Sequence, residues 1–202
     1  MNIVLNSYTV NSVKIHFDDK ILKFVNQSIL LKKLRKLALL FNYNKDVSVL
    51  LCSSFKLMKI KAHDYSMPNW VIGCNRKNKV FILNPKKYLR NDNTSIESLI
   101  VHEVVHVIIN SSADHCPIWL NEGFAMWYAD QIKQYDLSNK LFVNPFEMDY
   151  GEDIYYYSAL ITKKLFESYD EKLLIKRLFS TKNWINDKIF GLQALKELFK
   201  KG

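Results

Sequence analysis

Hydrophobic and polar positions alternate over residues 8–17, where Val10, Val13, Ile15 and Phe17 stand against Asn11, Ser12, Lys14 and His16, with one slip. A period of two predicts a half-buried strand, because successive side chains of an extended chain point to opposite faces. Residues 28–41 change period: Leu30, Leu31, Leu34, Leu37, Ala38 and Phe41 recur at helical spacing between lysines and an arginine. Residues 47–52, 55–61, 70–74 and 80–83 are short runs rich in β-branched and aromatic residues. Turn formers such as Met67-Pro68-Asn69 and Arg76-Lys77-Asn78 separate them, so they read as strands of a small sheet. Beyond residue 94 helical patterns take over, at about 95–110, 118–131, 154–168, 170–180 and 190–200. Sheet first and helices after predicts an α+β fold in one domain, with a small mixed sheet and one helix over about 1–93 and a helical part over about 94–202.

Composition acts mainly by exclusion. With 202 residues, 49% hydrophobic and 24% charged, the chain can bury a core without disulfides, and it is neither disordered nor fibrous in character. Cys52, Cys74 and Cys116 are odd in number and irregularly spaced, which suits a reducing compartment and buried thiols. The opening MNIVLNSYTV lacks the charged and apolar regions of a signal peptide, so a cytoplasmic protein is expected. The longest apolar run, residues 99–109, is interrupted by His102, Glu103 and His106, which excludes a membrane span there. A net charge of +9 favours acidic partners without specifying a chemistry.

That interrupted run carries the chemistry. Thr94 and Glu97 have the spacing of a capping box, and the IESLIVHEVVHVIIN that follows is apolar nearly all round, as in a buried helix. Three ionisable side chains inside such a helix need a partner, and a metal cation is the natural one. Residues four apart share a helical face, so His102 and His106 can bind one tetrahedral zinc ion while Glu103, turned by about 100°, leans over the open position. Ordinary hydrogen bonding of a chance HExxH is the competing reading. For a third ligand, Glu122 stands in Ile118-Trp119-Leu120-Asn121-Glu122-Gly123-Phe124-Ala125, with fifteen residues between it and His106. That leaves room for a loop through Pro117 and a return helix aiming the carboxylate at the histidines. Otherwise Glu122 is an exposed carboxylate near a helix start.

HEVVH followed by WLNEGFA resembles the gluzincin, or peptidase MA-like, zinc metallopeptidases. The resemblance runs from about residue 70 to 179 and implies a zincin-like fold, zinc ligands at His102, His106 and Glu122, and Glu103 as general base. In that family a tyrosine on a later helix stabilises the oxyanion, and the spacing of Ile154-Tyr155-Tyr156-Tyr157-Ser158 matches Tyr155 to it, with Tyr156 second. The WLNEGFA string is also similar to aminopeptidase-N-like enzymes, but their Gly-x-Met-Glu-Asn motif is absent, so cleavage within a peptide is favoured over removal of its first residue. Asp149, Glu152 and Asp153 suit the start of the tyrosine helix, while His115 falls between the two ligand segments.

Arg76, Lys77, Lys79, Lys86, Lys87 and Arg90 flank the strand at 80–83, which is expected to be the sheet edge that holds substrate. A basic rim there would draw acidic peptides, or simply guard an exposed edge against aggregation. The expected activity is zinc-dependent hydrolysis of a peptide or protein substrate. The alternative is a regulatory or binding protein with a structural zinc and a basic interaction face. No helix-turn-helix pattern, RNP-type aromatics or Cys/His finger speaks for nucleic acid.

Overall fold

The computed structural model describes residues 5–10, 13–87, 95–138 and 142–200. Among them the chain is a mixed α+β fold with one five-stranded sheet and seven α-helices. It divides into two compact units, Met1–Ile108 and Ile109–Gly202, with the boundary inside a continuous helix.

The first unit opens with β1 (Leu5–Val10) and β2 (Val13–Asp18), an antiparallel pair running from Leu5 opposite Asp18 to Val10 opposite Val13. The single strand expected over residues 8–17 is therefore two. The slip in the alternation marked a change of strand, and pairing restores the pattern by setting Tyr8 edge-on to Phe17 with ring centroids 5.8 Å apart. Helix α1 (Gln27–Leu40) follows, capped by the Asn26 side chain on the Ile29 N–H at 3.2 Å and burying Leu30, Leu34, Leu37 and Ala38. Strand β3 (Val47–Cys52) pairs in parallel with β2 and is buried along nearly its whole length, which explains an apolar run interrupted only by Ser48.

Residues 55–61 were expected as a strand and instead lie in α2 (Phe55–Ala62). Ser54 caps it by accepting from the Leu57 N–H at 3.2 Å, and Phe55, Met58 and Ala62 pack one helical face on the sheet. Three lysines interleaved with apolar residues satisfy a period of two and of 3.6 alike over so short a run, and the serine cap decides between them. His63, left-handed at φ 51°, closes the helix.

The hairpin of β4 (Gly73–Arg76) and β5 (Lys79–Leu83) completes the sheet in the order β1-β2-β3-β5-β4. The strand expected at 70–74 thus begins later, at Gly73. The larger correction concerns the edge: β5 lies between β3 and β4, so 80–83 is an interior strand and β4 forms the border of the sheet. Val80, Phe81, Ile82 and Leu83 are all buried, and the strand pairs with a neighbour along both edges. Leu50, Cys52, Phe81 and Leu83 share the sheet face that meets Met58 and Ala62 of α2, with Cys74 of β4 packed among them.

Helix α3 (Ile96–Asn110) leads out of the first unit. The Thr94 half of the expected capping box lies outside the described residues. Ser95 Oγ accepts from the Ser98 N–H at 3.1 Å at the start of the helix, and Glu97 accepts from the Asn26 N–H at the start of α1.

The second unit holds α4 (Ile118–Tyr128), α5 (Glu152–Ser168), α6 (Glu171–Ser180) and α7 (Leu192–Lys200). Helix α4 stops short of the expected residue 131 because Asp130 takes a left-handed conformation at φ 61°. It packs on α5 through Gly123, where an added Cβ would fall 1.9 Å from Thr162 Oγ1 and 2.9 Å from the Ser158 carbonyl oxygen. Trp127 stacks on Phe166 at 4.2 Å, and Phe124 lies among Tyr128, Phe166 and Phe190. No described helix is long and apolar enough to cross a membrane.

Candidate metal centre

The helical pattern of α3 sets His102 and His106 one turn apart on the same face. Their Nε2 atoms lie 2.9 Å from each other and their rings cross at 82°. Both residues are more than nine-tenths buried, as is Glu103 between them. In a tetrahedral site with ordinary zinc–nitrogen distances, two ligand nitrogens stand about 3.3 Å apart, so the pair needs little adjustment to share one ion.

Glu122 comes from α4. The turn back from α3 is fixed by Asn121, whose Nδ2 donates to Asn110 Oδ1 at 2.9 Å, and by the Pro117 carbonyl, which accepts from the Leu120 and Asn121 N–H groups. Glu122 is 4% exposed, which replaces the solvated helix-start reading with that of a buried carboxylate. One ring nitrogen from each histidine and one Glu122 oxygen lie within 4.8 Å of one another, in the helical part of the chain. Two imidazoles and a carboxylate in that grouping form a donor set that could hold a divalent cation.

Glu103 faces the sheet. Asn75 Nδ2 of β4 donates to Glu103 Oε2 at 3.1 Å, and the Gly73 backbone stands directly beside the same carboxylate. Burial, reinforced by the charge of Glu103, pushes the Cys74 thiol up to about 12, so this cysteine stays protonated at neutral pH. Burial first and Glu122 second likewise raise the Tyr135 phenol.

Tyr155 is half-buried on α5 against Met126, Ile132 and Ala159, in a cluster that also takes in Tyr135. Tyr156 packs edge-on against Tyr157 at 5.2 Å. His115 is exposed, left-handed at φ 49°, and outside the ligand grouping. His16 accepts or donates at Ser7 Oγ, 2.7 Å away, within the sheet. Of the basic residues around β5, Lys79, Lys86 and Lys87 are exposed, Arg76 donates to the Ala62 carbonyl at 2.9 Å, and Arg90 lies outside the described residues.

Gly73, Asn75 and Tyr135 escaped the sequence reading. The signal for the first two was present: a glycine and an asparagine two apart, both poor strand formers, set on one face of a strand just before an apolar one. Compared with protein-family models and with curated proteins, the chain matches none.

Proposed function

We propose that the chain is a zinc-dependent metallopeptidase of the gluzincin kind, with a zincin-like fold, that hydrolyses bonds within a peptide or protein substrate. The observation that carries this reading is the buried grouping of His102, His106 and Glu122 ligand atoms within 4.8 Å. Its support is the second buried carboxylate, Glu103, one residue along from a ligand and held by β4.

A bound zinc ion supplies a Lewis acid that polarises a carbonyl and brings the pKa of water down to about 7. His102, His106 and Glu122 would hold it through two imidazole nitrogens and one carboxylate oxygen. Glu103 takes the proton from the attacking water at a carboxylate oxygen and returns it to the leaving amide nitrogen. Its burial keeps bulk water from competing for that proton. Tyr155, by the resemblance, donates its hydroxyl to the oxyanion.

The test is metal analysis of the purified chain together with digestion of a peptide library by wild type and by Glu103→Gln. About one zinc per chain is expected in both, with hydrolysis lost from the variant by several orders of magnitude. Undiminished turnover in Glu103→Gln removes Glu103 from the chemistry. Stoichiometric zinc with no hydrolysis by wild type favours the alternative, a binding protein with a structural zinc that presents the exposed Lys79, Lys86 and Lys87 to its partner.

A further inference from the structure

We propose that the border strand β4 is the positioning element for Glu103, with Asn75 orienting its carboxylate and Gly73 leaving the space in which that carboxylate sits; this rests on the peptidase reading above. Gly73 and Asn75 are two apart on β4, opposite Ile82 and Val80 of β5, and therefore share the sheet face turned away from α2. Cys74, between them, points to the α2 side. On the first face Asn75 Nδ2 donates to Glu103 Oε2 at 3.1 Å. At Gly73 an added Cβ would fall 2.9 Å from Leu99 Cδ1, 3.0 Å from Glu103 Oε1 and 3.2 Å from Glu103 Cγ. Gly73 does not have a positive φ, so glycine is required here for the close approach of strand to helix and not for a turn.

One oxygen of Glu103 is thus held by a donor while its other oxygen and its stem are walled by backbone. The hairpin does not depend on that contact for its place. Arg76 Nη1 anchors it to the Ala62 carbonyl at 2.9 Å and Asn78 Nδ2 to the Asp46 carbonyl at 3.1 Å, neither of which involves Glu103. A flexible carboxylate that must face a water on one side and a departing nitrogen on the other gains from being fixed before substrate arrives. A neutral amide does this without placing a second charge beside the base.

Three variants and two readouts test the assignment. Asn75→Asp keeps the shape and removes the donor, Asn75→Ser restores a shorter donor, and Gly73→Ala narrows the space. Each is assayed for zinc content and for kcat and KM on a peptide cleaved by wild type, and crystal structures of wild type and Asn75→Asp locate the Glu103 carboxylate. The expected result is unchanged zinc and KM, a fall in kcat of about 100-fold for Asn75→Asp and Gly73→Ala, partial recovery in Asn75→Ser, and a displaced Glu103 carboxylate in the Asn75→Asp crystal. An unmoved carboxylate with unchanged kcat, or a raised KM with kcat intact, overturns the assignment, the second outcome making Asn75 a substrate contact. A wild type that binds zinc and cleaves nothing overturns the peptidase reading, and the crystals still decide whether β4 places Glu103.

Discussion

At the scale of single residues, the metal grouping makes a prediction that needs no substrate. A ligand that binds only the folded chain stabilises it by about 4 kcal/mol at a thousandfold excess over its dissociation constant. Unfolding temperature should therefore rise with added zinc and fall with a chelator in wild type. In His106→Ala and in Glu122→Gln, each missing one of three ligands, the difference should shrink or vanish, as calorimetry would read. Equal zinc dependence in the variants would dissolve the grouping as a site. The histidine pair was legible in the sequence because its geometry is local: four residues on a helix fix the relation of two rings. Glu103 and Asn75, 28 positions apart in the chain, meet only once β4 is laid along the helix, and no local pattern encodes that meeting.

The elements divide along the same line between local and non-local information. Strand β3 and helices α1, α3, α5 and α6 lie within two residues of the expected bounds: the helices repeat their apolar positions over about ten residues or more, and β3 is a short run rich in β-branched residues. The miss at α2 came from an eight-residue run in which both periods fit, and the misplaced sheet edge came from strand order, which periodicity does not contain. Packing between elements was equally hidden: the glycine of WLNEGFA reads as part of a motif, whereas in the fold it is the point where α4 meets α5. Gly123→Ala should destabilise the second unit by about 1–3 kcal/mol, since Thr162 can rotate but the Ser158 carbonyl cannot move without its helix. Urea unfolding followed by tryptophan fluorescence reads this, as Trp119, Trp127 and Trp184 lie in that unit. A midpoint equal to that of wild type would mean the helices part easily there.

For the whole molecule, the response of stability to pH collects the buried titrating groups of both units. On the alkaline side, burial raises the thiols of Cys74 and Cys116 and the phenol of Tyr128, so the unfolded chain loses those protons first and stability declines above about pH 9. On the acid side Asp187 contributes. Burial works against its charge, but N–H donors of Phe190 and Ile189, the Thr181 hydroxyl and the Arg177 guanidinium at 2.6 Å outweigh it and hold the carboxyl below its ordinary 3.8. A carboxyl lowered by folding contributes stability above its unfolded value, and that contribution is lost as pH falls through the folded one. Asp187→Asn keeps the shape and one acceptor oxygen but gives up the charge, and at pH 7 it should cost about 1–3 kcal/mol. Because protonation of wild type removes the same charge, the gap between the two proteins should close as pH drops below about 4. Urea unfolding of both at neutral and acid pH reads the gap, again by the tryptophans of the second unit. A gap of constant size across that range would mean that Asp187 acts by shape and hydrogen-bond count alone, with the acid sensitivity of the fold residing in other carboxylates.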